Sequence, residues 1–191
     1  MIGKKEIEGV FSKQLSRIKD KELRAKVVET YVLACQEGGW KSIDELKKVP
    51  FTLLTDTKGI NLLEHTIAVT ESAVGLAKAQ METYPAMPFK IDMDRLLAGG
   101  LLHDVGKLLE IEKDGKKGFR KSKKGAFARH PIAGAVLAGR VGLPLDIINT
   151  IACHAKEGEG APQVVETVLI HQADFACYEP LAMMAKGLLI C

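Results

Sequence analysis

A chain of 191 residues that is 47% hydrophobic and 27% charged can bury a substantial core, which excludes a disordered or fibrous protein. Its formal charge of +3 is unevenly placed: between Glu112 and Arg129 six lysines and two arginines face two acids, so the rest of the chain is mildly acidic. A basic loop on such a body points to an anionic ligand, whereas 5% of aromatic residues makes a poor nucleic-acid platform. The charged start lacks a signal-peptide pattern, and no apolar run reaches the roughly 18 residues of a membrane span. Four scattered cysteines, Cys35, Cys153, Cys177 and Cys191, read as reduced thiols packed as small hydrophobes, so a cytoplasmic protein is expected.

Helical spacing begins at once, with Ile7, Val10, Phe11, Leu15 and Ile18 on one stripe and Leu23, Val27, Tyr31 and Val32 on a second. Asp20 is the expected cap between them, and Gly38-Gly39 the expected stop. Residues 42–48 read as a short helix with a capping box at Ser42 and Glu45, closed by Pro50. These 58 residues show no chemistry and read as packing and partner surface.

A longer helix is expected from about residue 59 to about 81, with His65 on the face of Leu62, Val69, Ser72 and Leu76 and Glu64 on the surface. The next runs from the cap Asp92 to about Leu109. Its middle, Leu96 to Leu102, is apolar nearly all round, and it delivers His103 and Asp104 from a buried position. Residues 111–129 interrupt the helical pattern with a turn signal around Gly115, and read as a short irregular hairpin or loop. His130 is expected at a cap, with Pro131 opening a helix. After the corner at Gly142 to Pro144, a helix to about Ala155 carries His154 beside Ile147 and Ile151. A last patterned helix over 164–174 turns Asp174 inward, and the apolar tail from Pro180 reads as a separate core or interface helix, leaving a homo-oligomer open. The expected architecture is all-α.

An imidazole or carboxylate buried without a partner costs several kcal/mol. Four of the five histidines nonetheless fall at helix caps or on apolar helix faces, on four separate segments: His65, His103, His130 and His154. Asp104 and Asp174 join them. Six nitrogen and oxygen ligands exceed what one open metal site needs, which favours two metals. Iron or manganese suits such mixed ligation first, with zinc, nickel or cobalt behind.

With this pattern the chain resembles the HD superfamily of metal-dependent phosphohydrolases, named for the His-Asp doublet. The minimal pattern of a histidine, the doublet and a distant aspartate matches His65, His103 with Asp104, and Asp174. The two histidines of the two-metal members match His130, in His-Pro-Ile-Ala-Gly-Ala, and His154. The string His-Asp-Val-Gly-Lys at 103–107 is similar to the family's common His-Asp-Ile-Gly-Lys. The resemblance spans roughly 59–178, so 1–58 reads as a helical extension packed on an HD domain of 59–191.

The resemblance implies an HD-domain helical bundle in which one metal takes His65, His103, Asp104 and Asp174. The second takes His130 and His154, with Asp104 bridging. Adjacent helical positions lie about 100° apart, so both members of the doublet reach one site only at a distortion, which Gly99, Gly100 and Gly106 would permit. Two cations about 3.5–4 Å apart would hold a bridging hydroxide for attack on phosphorus. Lys107, three residues after Asp104, is expected to contact the substrate phosphate and, with Asp104, to carry the catalysis. Lys156, with Glu157 beside it, and Arg120 are the other expected substrate contacts, and Lys116, Lys117, Lys121, Lys123 and Lys124 would attract or gate an anion. His171, one turn before Asp174, would orient it or lie at the surface.

The leading expectation is a phosphohydrolase or phosphodiesterase acting on a small, nucleotide-like anion. The rival with the same ligands is a mixed-valence di-iron oxygenase of the same superfamily, and a non-catalytic regulatory module is the third reading. Lys107 favours the phosphohydrolase, and the full ligand set argues against the regulatory module.

Overall fold

The computed structural model of the chain describes residues 2–115 and 118–190; Lys116, Lys117 and Cys191, named above, lie outside the described residues. The first apolar stripe forms two helices instead of one, α1 (Lys4–Val10) and α2 (Ser12–Leu15). Between them Phe11 leaves helical geometry, at φ −108° and ψ 21°, and packs against Tyr31 with ring centroids 4.8 Å apart. α3 (Lys21–Gly38) starts where the Asp20 carboxylate accepts the amides of Glu22 and Leu23, and stops at Gly39 in the left-handed region at φ 76°. Ser42 caps α4 (Ile43–Leu46), but the expected capping box is half made, because the Glu45 carboxylate turns to the Lys41 amide.

α5 (Leu62–Thr83) opens with a complete capping box between Asn61 and Glu64, so Glu64 is a cap residue as well as a surface charge. Its covered row is His65, Val69, Ala73 and Ala77; Ser72 and Leu76, expected beside His65, are exposed because the packed i, i+4 row winds away from them. α6 (Met93–Leu102) begins at its Asp92 cap. The helix expected to reach Leu109 stops at Leu102, and a tight turn leads into α7 (Lys107–Glu110).

The interruption is a hairpin of β1 (Ile111–Lys113) and β2 (Phe119–Lys121), antiparallel with Glu112 opposite Arg120. An unforeseen short helix, α8 (Lys123–Phe127), follows on a Ser122 cap. In α9 (His130–Val141) the cap is Arg129, one residue earlier than expected, and Pro131 takes the second helical position. α10 (Leu145–Cys153), a 3₁₀ turn (Lys156–Gly158) and α11 (Val165–Ala185) complete the fold. α11 runs through Pro180 where a break was expected, and beyond it Met183, Met184, Leu188 and Ile190 are exposed, so the tail is not a core helix.

α5, α6 and α11 pack on one another, α9 packs on α10, and α3 lies against α6, α7 and α9. One apolar cluster runs from Ile7, Phe11 and Tyr31 through Leu62, Leu97 and Leu101 to Ile151 and Ile170. Among the described residues the hairpin is the only sheet, and the architecture is an all-α helical bundle. No described helix is long and apolar enough to cross a membrane.

Candidate metal centre

The centre is organised by the end of α6. There the backbone bonds tighten from four-residue to three-residue spacing, with Val105 donating to Leu102 at 3.0 Å and Lys107 to Asp104 at 2.9 Å. This is the distortion that adjacent ligands require. Gly106 lets the turn press backbone to backbone on the start of α9: a Cβ there would lie 2.1 Å from the His130 carbonyl oxygen. The same contact carries His130 to Asp104.

The fold brings all six expected ligands together, from α5, the turn, α9, the end of α10 and α11. Asp104 Oδ2 lies 3.4 Å from His65 Nε2 and 3.4 Å from His103 Nε2, and Asp174 Oδ1 lies 3.0 Å from His65 Nε2. The other oxygen, Oδ1, lies 3.3 Å from His130 Nε2 and 3.6 Å from His154 Nε2. Two ligands held about 2.1 Å from a common tetrahedral ion are about 3.4 Å apart, so both trios have the spacing of a metal site. The Nε2 atoms of His65, His103 and His154 and both Asp104 oxygens are buried facing one another, with the Lys107 ammonium 2.7 Å from Asp104 Oδ2 and the Asp174 carboxylate 3.0 Å from His65. Such a set of converging lone pairs is expensive unless a cation completes it.

Three of the rings are aimed from behind. His103 Nδ1 donates to the Gly100 carbonyl at 2.6 Å and His154 Nδ1 to the Ile151 carbonyl at 2.9 Å; a carbonyl only accepts, so the proton sits on Nδ1 and the Nε2 lone pair faces inward. His130 Nδ1 donates to the Glu110 carboxylate at 2.7 Å, and that carboxylate also accepts the His130 amide at 2.8 Å. His65 is held by stacking on Phe51, centroids 4.2 Å apart at 15°.

Burial pushes the Asp104 carboxyl up, but Lys107 and His103 outweigh it and hold the group well below the usual carboxylate range. Burial likewise raises Asp174, and His65 reverses the sign. Desolvation drives His130 down to about 4 against the opposing pull of Glu110, so the imidazole is neutral and free to ligate near pH 7. For His65 burial lowers and the carboxylates of Asp104 and Asp174 raise, with a net rise.

A cavity of about 500 Å³ opens beside the cluster. Phe51, Leu53 and Leu54 from the connector before α5, with Phe175 and Tyr178 of α11, form its apolar walls, and Lys107, Lys121, Arg129 and Lys156 supply its cations. The Lys107 ammonium is 2.7 Å from Asp104 Oδ2, Arg129 pairs with Glu157 at 2.6 Å, and Lys156 has no acidic partner among the described residues.

Arg120 is not at the cavity. It pairs across the hairpin with Glu112 at 2.8 Å, and because side chains alternate along a strand its neighbour Lys121 takes the cavity side. Lys124 donates to the Glu37 carbonyl at the end of α3, and Lys123 also lies away from the cavity. His171 does not orient Asp174: its Nδ1 donates to the His154 carbonyl at 2.7 Å, tying α11 to the end of α10. Glu110 and Phe51 escaped the sequence reading. The available signals were a carboxylate six residues after the doublet and a lone aromatic after Pro50.

The HD domain family model matches residues 62–175. Ribonuclease Y of Pseudothermotoga lettingae is 36% identical over 116 residues, 61% of this chain and 18% of that protein. Ribonuclease Y of Thermotoga maritima is 35% identical over 116 residues, with the same shares. The dihydroneopterin 2′,3′-cyclic phosphate phosphodiesterase of Methanocaldococcus jannaschii is 28% identical over 168 residues, 86% of this chain and 66% of that protein. The chain thus spans under a fifth of the length of the two ribonuclease Y relatives. No solved structure matches significantly. The family match takes in more than half of the chain and all six of the converging side chains, and the chain belongs to the HD domain family.

Proposed function

We propose that the chain is a metal-dependent phosphohydrolase that cleaves a phosphoester bond in a small, nucleotide-like anion. The observation that carries this reading is the convergence of four buried imidazole nitrogens on the two Asp104 oxygens, in two trios with the spacing of a metal site. In this reading His65, His103, Asp104 and Asp174 would hold one metal, and His130 and His154, with Asp104, would hold the second. Iron or manganese suits these ligands first; zinc, nickel and cobalt also fit. When bound, two such ions supply an activated water and neutralise charge developing on the phosphoryl oxygens.

The chain's own residues do the rest. Lys107, mostly buried at the cavity floor, turns its ammonium from Asp104 toward a phosphoryl oxygen. Lys121, Arg129 and Lys156 draw further negative charge to the rim, while the apolar walls shed water around the rest of the substrate. A cavity of about 500 Å³ suits one nucleotide-sized molecule. The names of the relatives, a ribonuclease and a cyclic phosphate phosphodiesterase, support a phosphodiester as the bond cleaved. The rival oxygenase reading uses the same ligands and also accommodates an anionic substrate; the names of the relatives, a ribonuclease and a phosphodiesterase, weigh against it.

The test is metal analysis of anaerobically purified protein together with hydrolysis of bis(p-nitrophenyl) phosphate, with Asp104→Ala as control. About two metals per chain, and hydrolysis that Asp104→Ala abolishes, is the expected result. Oxygen uptake without hydrolysis would replace this reading with the oxygenase, and protein that takes up no metal would leave only a regulatory role.

A further inference from the structure

The tight turn at the end of α6 leaves carbonyls that its own ladder no longer satisfies. Val105 donates to Leu102 instead of to Leu101 four residues back, so the Leu101 carbonyl has lost its helical donor. It accepts the hydroxyl of Tyr31, on α3, at 2.7 Å in a fully buried contact. On the far side of the turn, the Leu108 carbonyl accepts the indole N–H of Trp40 at 2.8 Å, also buried. Gly38 makes room for that approach, since a Cβ there would lie 2.1 Å from the Leu108 oxygen. Two donors from the N-terminal segment therefore fasten the turn bearing His103 and Asp104 at both ends. A third residue of the segment, Phe51, stacks on His65.

All three side chains are at most 3% exposed, and all lie outside residues 62–175. Packing alone does not require the polar tips of Tyr31 and Trp40. A buried O–H or N–H is costly unless bonded, and phenylalanine would fill the Tyr31 position with less desolvation. What the tips add is direction: metal ligands need placement to within about 0.5 Å, and a hydrogen bond on each side of the turn fixes it along and about its axis.

We infer that Tyr31, Trp40 and Phe51 are positioning residues of the metal centre, acting through the Leu101 and Leu108 carbonyls and the His65 ring. The N-terminal segment is then part of the site and not only a packing extension. This rests on the metal-binding reading of the six converging side chains.

The test uses the full chain, stripped of metal and titrated with Co²⁺, following affinity by calorimetry and ligand geometry by the visible absorption of the ion. Tyr31→Phe and Trp40→Phe are each expected to weaken Co²⁺ binding by roughly 10- to 100-fold and to alter the spectrum. Glu71→Gln, which breaks a remote contact with Arg17 and Gln14, is the control for lost stability and should change neither. Variants that melt earlier but bind Co²⁺ with wild-type affinity and spectrum would overturn the inference. Phe51→Leu, which removes the stacking partner without touching the hydrogen bonds, reads the same way should the other two fail to fold. Wild-type protein that binds no Co²⁺ overturns the metal reading and this inference together. Wild-type protein that binds Co²⁺, with the expected losses in the variants but no phosphodiester hydrolysis in any metal form, overturns the proposed activity alone.

Discussion

The two sides of Asp104 are built differently. On the Oδ2 side, His65 and His103 stand with a second carboxylate, Asp174, 3.0 Å from His65, and His103 is aimed by a neutral carbonyl. On the Oδ1 side no second carboxylate faces the cluster among the described residues; instead Glu110 sits behind His130 and accepts its Nδ1 proton at 2.7 Å. One side places its extra negative charge in direct reach of a metal, while the other places it one ring away, where it raises the basicity of the imidazole. Once the Lys107 ammonium, 2.7 Å from Oδ2, turns from that oxygen, a cation gains more from the first arrangement, because Coulomb energy falls with distance. The difference predicts two unequal sites, the Oδ2 side filling first.

The largest disturbance to that comparison is Gly106→Ala. Its Cβ would lie 2.1 Å from the His130 oxygen and 2.6 Å from the Gly134 nitrogen, so α9 must shift as a unit. A cost of about 1–3 kcal/mol in urea unfolding is expected, with the Oδ1 side losing its metal because His130 and Asp104 part. Asp174→Asn comes next: it should weaken the tighter site, seen in calorimetry as the two binding steps drawing together. Glu110→Gln should weaken only the looser site, by roughly 10- to 100-fold, so the steps draw apart. Should Glu110→Gln instead affect the tighter step, the assignment of the two sides is reversed.

The smallest effect lies away from the centre. Burial pushes the Glu71 carboxyl up, but Arg17 and Gln14 outweigh it and hold it below its ordinary value of 4.5. A depressed carboxylate stabilises the fold above that ordinary value, and the contribution is lost as the pH falls through the lower folded value. Glu71→Gln is therefore expected to cost about 0.5–1 kcal/mol at pH 7, with the difference from wild type closing as the pH falls below 4.5. Melts at pH 7 and pH 3 check this, and a difference that persists in acid would mean that packing outweighs charge there.

The six converging groups were legible together and not singly: a lone imidazole on an apolar helical face is more often a satisfied core residue, whereas four on separate segments with two aspartates call for a shared ligand. Caps were legible at Asp20 and Asp92, which each accept amides at the start of their own helix, a contact spanning two or three residues, whereas the Asn61 cap was missed. Glu110 was silent, being one of 24 acids whose partner His130 lies 20 residues further on. Arg120 and Lys121 are chemically similar, and only the hairpin register sends one to Glu112 and the other to the cavity. His171 has the spacing to serve Asp174, yet α11 meets the end of α10 in a way that gives it the His154 carbonyl.

Local physics was thus enough to name most of the helices, several of their caps and the side chains that together need a ligand, since periodicity and capping depend on neighbours within a few residues. Where the α6 helix breaks was settled elsewhere. Gly106 meets the backbone of His130, Tyr31 reaches Leu101 across 70 positions, and Trp40 reaches Leu108 across 68. Such pairs have no signature in the order of residues, because they exist only once the packed helices bring distant segments within hydrogen-bond range. Those contacts accompany the tight turn that lets two adjacent side chains share one site.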